Sequence, residues 1–208
     1  MLSVRSFIGS TMVIAFLFCP LNTWASDTPM TTIQSATHET LEILQNPTYQ
    51  GTTHRQARLA QLASVILPYF DTTGLAQRAL GPGWHQLTTD QQQTFVRLFT
   101  SLVEQSYGAI IDRYARDVQI SYDSEHIDGD YAEVATRIFA PSVDQSFPIN
   151  YFLHLLHGQW LIYDVEIDNV SMALNYRNQF AHILRTASYP DLVQRLQSKL
   201  HELSGAPS

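Results

Sequence analysis

The sequence predicts an α+β domain in which helices pack on one face of a four-stranded antiparallel sheet. Three observations carry this. Apolar residues recur every three or four positions up to Tyr114, the period changes to two from Val118 to Ile167, and helical spacing returns beyond Met172. Helices and strands in separate runs, rather than in alternation, signal α+β and not a doubly wound fold.

Residues 1–25 are expected to be a signal peptide. Arg5 gives a short positive region, residues 7–21 are nearly free of charge, and Thr23-Trp24-Ala25 offers small residues for cleavage after Ala25. The alternative, an uncleaved anchor, is disfavoured because the apolar run is short for a membrane span. The domain then covers residues 26–203, with 204–208 as a disordered tail.

Thr28-Pro29 places a cap and a proline where a first helix begins, and Ile33, Leu41 and Leu44 share its face up to Asn46-Pro47. A second helix from about Thr53 carries Leu59, Leu62, Ala63 and Ile66 and ends or bends at Pro68. A short helix from Thr73 closes at Gly81-Pro82-Gly83. Thr88 with Gln91 forms a capping box for a long amphipathic helix bearing Phe95, Phe99, Val103, Tyr107, Ile111 and Tyr114.

Val118, Ile120 and Tyr122 then alternate with polar neighbours, as do Ala132, Val134, Thr136 and Ile138, and Ile149, Tyr151, Leu153 and Leu155. Residues 160–167 form a fourth run. Asp128-Gly129, Ala140-Pro141 and Gly158 punctuate these runs, which predicts an antiparallel meander with one face buried. A helix follows Met172, and Ser188-Tyr189-Pro190-Asp191 opens a last one carrying Leu192, Leu196, Leu200 and Leu203.

Composition excludes several functions. Cys19, the only cysteine, falls in the expected signal peptide, so no disulfide is available and the core alone must hold the fold. Without Arg5 the expected mature chain carries 11 basic residues against 19 acidic ones, and Lys199 is its one lysine. Nucleic-acid binding needs clustered cations to displace counterions, and a polybasic membrane contact needs the same, so neither is expected.

The motifs for chemistry are weak. His154 and His157 lack the even spacing that ligands on one strand face prefer, and no metal site is expected. Asp164-x-Glu166-x-Asp168 has the outline of a calcium loop, but Asn169 and Asn175 stand where glycine and glutamate would be needed, and an acidic solvent-facing edge is the simpler reading. No G-x-S-x-G nucleophile turn or phosphate-cradling loop is present, so no catalytic residue is assigned and the chain is not expected to be an enzyme.

Trp160-Leu161-Ile162-Tyr163-Asp164-Val165, followed by Val170-Ser171-Met172, Asn175-Tyr176-Arg177 and Phe180, resembles the signature of the MlaC family, the toluene-tolerance (Ttg2-type) auxiliary proteins. Gly81 and Trp84, then Thr89, Gln92, Phe95, Phe99 and Tyr107, resemble the same family, as does Pro68-Tyr69-Phe70-Asp71. The resemblance spans about residues 41–200. It implies a twisted antiparallel sheet wrapped by about six helices, with acyl chains in an apolar pocket between them. It also implies a monomeric periplasmic phospholipid carrier, with phospholipid as cargo and no cofactor. Its partners would be an inner-membrane ABC transporter with an MCE-domain protein and an outer-membrane lipoprotein–porin complex. A carrier for another lipid such as a hopanoid, or a small secreted enzyme on a cone-shaped α+β fold, are the alternatives. Strand parity then nominates Val134, Ile138, Ile149, Tyr151, Leu153 and Leu155 as the sheet side of the pocket. Phe99, Val103, Tyr107 and Ile111 would face them, with Val170 and Met172 at one end, and Asn175-Tyr176-Arg177 would tie the last helices to the sheet. Many relatives are lysine-rich, and this acidic chain departs from them.

Overall fold

A computed structural model of the chain describes residues 27–141 and 143–205; the expected signal peptide over 1–25 lies outside the described residues. Six α-helices and five strands follow in order: α1 (Pro29–Gln45), α2 (Arg55–Ile66), α3 (Thr72–Leu80), α4 (Thr89–Tyr114), β1 (Gln119–Asp128), β2 (Tyr131–Ala140), β3 (Gln145–Leu156), β4 (Gln159–Ile167), β5 (Val170–Ser171), α5 (Met172–Leu184) and α6 (Tyr189–Gly205). Among the described residues, no helix is long and apolar enough to cross a membrane.

Local chemistry sets the helix ends. At α1, Thr28 accepts the Thr31 N–H and Pro29 occupies the first turn, where its missing donor costs nothing. The Glu125 carboxylate on β1 accepts the Met30 N–H at 2.6 Å, which fixes the start of α1 on the sheet. At α4 the expected capping box is complete: the Thr88 N–H donates to Gln91 Oε1 at 2.9 Å, and the Gln91 N–H donates to Thr88 Oγ1 at 3.3 Å. Pro68 converts the end of α2 into a 3-10 turn over Leu67–Tyr69. At the other terminus α6 continues through Ser204 and Gly205, so these two residues are helical and not part of a tail; residues 206–208 lie outside the described residues.

The sheet is a meander in the order β1-β2-β3-β4-β5, every pair antiparallel. It holds one strand more than the four expected, because two residues after the Asp168-Asn169 turn pair back on β4. Register places Ile120, Ile138, Phe147, Ile149 and Tyr151 on one face, with Thr136 and Val134 paired opposite Ile149 and Tyr151. Register shifts at Tyr122/Ser124 and at Phe152/Leu153 interrupt the ladders.

The core is not centred on the sheet. Phe95 and Phe99 stack at 5.7 Å, and Phe180 of α5 meets both edge-on at 5.6 Å. Tyr176 closes the group, 4.9 Å from Phe99. Val134, Leu153, Ile162 and Leu192 are buried in the same core. The N-terminal half of α4 is therefore packed against α5, while its C-terminal half faces elsewhere.

Candidate functional site

The second half of α4 faces a cavity of about 590 Å³, bounded by α1, α2 and the inner face of β1 to β4. That volume is several times an engineered core cavity of ~150 Å³ and falls in the range of ligand sites, ~300–1,000 Å³. Rows of apolar side chains build the walls. Ile138 lies opposite Phe147, Ile149 opposite Ile167, and Tyr151 opposite Val165 across the ladders. Val103, Tyr107 and Ile111 face them from α4, and Leu59, Leu62, Ala63 and Ile66 come from α2.

The ends differ. Leu62, Leu75, Ile162, Val165 and Met172 line the cavity and are buried, which closes it toward α3 and α5. Ile110, Tyr114 and Val143 also line it but are 53%, 43% and 42% exposed. The mouth therefore lies between the last turns of α4 and the β2–β3 hairpin.

Almost nothing along the walls carries charge. Among the described residues that line it, Glu104 is the one carboxylate, and neither lysine, arginine nor histidine is present. Burial raises the Glu104 carboxyl above its ordinary range. Burial also pushes the Tyr151 phenol up to about 12, and raises Tyr107 with smaller contributions from Tyr176 and Asp164. Tyr151 is deep in the molecule yet not fully packed, because part of its surface is open to the cavity. Such a surface suits apolar matter: each methylene that leaves water for it contributes about 0.8 kcal/mol.

Of the twelve nominated residues, seven line this cavity: Val103, Tyr107, Ile111, Ile138, Ile149, Tyr151 and Met172. Phe99, Val134 and Leu153 face the same way but are packed solid in the core. Leu155 pairs with Trp160, two ladder steps past Leu153, and does not line the cavity. Val170 sits on β5, 58% exposed, and is not at the end of the slot. The contributions of α1 and α2 were not nominated, and neither were Ile120 and Val165. Their spacing marked a buried face without saying what that face meets.

Other expectations are corrected. Asp164 is not a solvent-facing edge. Its carboxylate accepts the Ser171 hydroxyl at 2.5 Å and the Ala173 N–H at 3.0 Å, anchoring the start of α5. Tyr176 and Arg177 bind α5 to other helices and not to the sheet: Tyr176 packs on Phe99, and Arg177 Nε donates to the Arg78 carbonyl at 2.8 Å. His154 stands 3.0 Å from the Asp71 carboxylate, which also receives the Gly74 N–H at the head of α3.

A buried ion cluster clasps α2 to α4. Arg58 reaches both oxygens of Asp112, at 2.5 and 3.1 Å, and its Nη1 donates to the carbonyls of Tyr49 and Gly51. Arg55 and Arg116 approach the same carboxylate at 3.4 Å each. Burial alone would raise the Asp112 carboxyl, but the hydrogen bond and charge of Arg58, with help from Arg116, outweigh it and leave it lowered.

Comparison with known proteins agrees with this architecture. The family model described as MlaC protein matches residues 34–198. The chain is 23% identical to the toluene tolerance protein ttg2D of Pseudomonas putida, over 86% of this chain and 84% of that protein. It is 24% identical to the intermembrane phospholipid transport system binding protein MlaC of Haemophilus influenzae, over 75% of this chain and 71% of that one. Among solved structures, a phospholipid-binding protein from Ralstonia solanacearum, in complex with a phospholipid, shares the fold with a TM-score of 0.75 at 23% identity, covering 86% of this chain and 99% of that chain. The chain belongs to the MlaC family.

Proposed function

We propose that the chain is a periplasmic phospholipid carrier that takes acyl chains into the cavity and leaves the headgroup at its mouth. The single observation that carries this reading is the cavity itself: about 590 Å³, apolar, closed at one end and open between α4 and the β2–β3 hairpin. Two relatives named for toluene tolerance and for intermembrane phospholipid transport, and a fold neighbour holding a phospholipid, support the same reading. So does the signal-like segment over residues 1–25.

The mechanism is transport by burial. Acyl chains cannot cross water uncovered, because every exposed methylene costs about 0.8 kcal/mol, so the carrier supplies a dry slot for the crossing. Nothing in this task requires covalent chemistry or a cofactor. Release then depends on a docked partner that favours a wider slot, since a ligand moves only by differential affinity between two states. In this reading the partners are an inner-membrane MCE-domain ABC transporter and an outer-membrane lipoprotein–porin complex.

Native mass spectrometry of the mature chain, purified from periplasm without detergent, tests the cargo. A bound mass of one diacyl phospholipid per chain is expected. A chain that arrives empty and takes up none from added vesicles would remove the carrier function and leave the fold intact.

A further inference from the structure

Charge is spread unevenly over this molecule, and the cavity gives no reason for it. Between Glu42 and Asp90 the one carboxylate is Asp71, and between Asp168 and Asp191 there is none, in a chain with 19 acidic residues and a net charge of −7. The first of these stretches contains α3 and the second α5. The fold brings the two helices together: Arg177 Nε donates to the Arg78 carbonyl at 2.8 Å, and a Cβ at Gly83 would meet Leu184 Cδ1 at 3.7 Å. Their outer surface exposes Arg78, Arg177 and Arg185, with His85 and His182. Both helices start against β4, where the Asp71 N–H donates to the Ile162 carbonyl and Asp164 holds the Ala173 N–H. Asp123, Glu125 and Asp128 lie on β1, at the opposite edge of the sheet.

The three arginines of this face have no acidic partner. Arg55, Arg58, Arg116, Arg137 and Lys199 each stand within 4.0 Å of a carboxylate, whereas among the described residues Arg78, Arg177 and Arg185 do not. Arg97, Arg113 and Arg195 are unpaired too, but they sit on α4 and α6, which carry carboxylates of their own. The carboxylates at the heads of α3 and α5 are engaged elsewhere: Asp71 by the Gly74 N–H and His154, Asp164 by Ser171 and Ala173. The unpaired guanidiniums are nevertheless held in place. Arg78 lies 3.8 Å over the Tyr163 ring, and Arg185 Nη2 is 2.7 Å from His182 Nδ1. Arg177 spends only its Nε on Arg78, which leaves both terminal nitrogens for another acceptor. A guanidinium so fixed is suited to a carboxylate, because its planar donors pair with two oxygens at once.

We propose that the outer face of α3 and α5 is a docking surface for an acidic protein, separate from the cavity mouth. Leu75 of α3 and Met172 of α5 close the inner end of the cavity, so this face lies behind that end and away from Ile110, Tyr114 and Val143. The carboxylates on the rest of the molecule repel an anionic partner and so orient its approach to the one face without them. A bilayer is the poorer match, since polybasic membrane contacts take about four to eight Lys or Arg and this face has three. The assignment goes beyond the carrier reading and does not require that the cavity hold lipid.

The test places the photo-crosslinker p-benzoylphenylalanine at Asn178, exposed beside Arg177, in the full chain made by its own cells. An adduct is expected with a protein whose cross-linked peptide is rich in Asp and Glu. The affinity of the two purified proteins is then expected to fall about tenfold or more with Arg78→Gln, Arg177→Gln and Arg185→Gln combined, and to fall with added salt. Arg185→Glu alone disturbs only the contact with His182, and is expected to weaken binding in the same direction should the triple variant fail to fold. An adduct with lipid, with a second copy of this chain or with a peptide lacking acidic residues would overturn the proposal, as would no adduct at all. Unchanged affinity in folded Arg185→Glu and in the folded triple variant would overturn it too. Bound lipid is expected to be equal in wild type and Arg185→Glu; its loss would tie this face to the cavity and overturn a docking role separate from the mouth.

Discussion

Asp112 shows how a single side chain can be essential to the fold while remaining outside the cavity. Replacing it with alanine leaves the Arg58 guanidinium buried without a counter-charge, a loss of about 3–5 kcal/mol, which urea denaturation of Asp112→Ala against wild type checks directly. The sign of its pH dependence follows from the lowered carboxyl. Because the folded protein releases this proton more readily than the unfolded chain, the unfolded chain binds more protons below the ordinary value of 3.8. The stabilisation is thus fully present above that value and is lost as pH falls through the lower folded value. Asp112→Asn is expected to be less stable at neutral pH and to lose less stability than wild type on acidification; parallel curves would show that the carboxylate contributes nothing specific. Leu153 illustrates the opposite case. It is fully buried in the core and does not line the cavity, so Leu153→Arg is expected to unfold the protein and is no probe of the cavity.

At the level of elements, α4 is one helix with two jobs, and its glycine lies in the half that faces the cavity. A Cβ at Gly108 would meet Leu59 Cδ2 at 3.5 Å, an ordinary contact, in the middle of a helix where glycine costs up to about 1 kcal/mol against alanine. Gly108→Ala is therefore expected to raise the melting temperature by an amount corresponding to about 0.5–1 kcal/mol, and a fall would mean that the added methyl group costs more in the seam between α2 and α4 than the helix gains. Phe99→Ala, in the other half of the helix, is expected to cost about 3–5 kcal/mol because it empties the stacked aromatic core. These two halves share one apolar periodicity, which explains what was legible. The capping box at Thr88, the proline at the head of α1 and the period-two runs of β1 to β4 all reflect local chemistry, and the structure has each where the sequence implies it. Strand parity likewise identified the inner face. It could not say how far along that face solid packing gives way to open space, so Tyr151 lines the cavity whereas Leu153, two residues on, is core. Val170 was misplaced for a related reason: it follows the Asp168-Asn169 turn, where both residues have positive φ, and its strand is only two residues long. The α1 and α2 walls went unnominated because a helix stripe facing empty space reads the same as one facing side chains.

For the whole molecule, the cavity is a cost that cargo offsets. Unfilled apolar space forfeits packing contacts, so a lipid that binds only the folded chain must stabilise it, by about 2.7 kcal/mol when its free concentration is a hundred times Kd. Stripping the lipid is accordingly expected to lower the melting temperature, and reloading from vesicles to restore it. A filling substitution separates a true slot from a loosely packed core. Ile149 lies in the middle of the sheet wall, opposite Thr136 on one side and Ile167 on the other, with its side chain toward α4. If that space is only imperfect core, Ile149→Trp overpacks it and destabilises the protein by about 1–3 kcal/mol. If it is a slot held open for cargo, the indole occupies room that acyl chains would take. The stripped variant then melts at or above stripped wild type, and loses both its bound lipid and the rise in melting temperature on adding vesicles. Calorimetry of the four samples, each protein with and without lipid, decides between these outcomes. A stripped variant that melts well below stripped wild type, yet still gains stability from vesicles, would place the acyl chains elsewhere than against this wall.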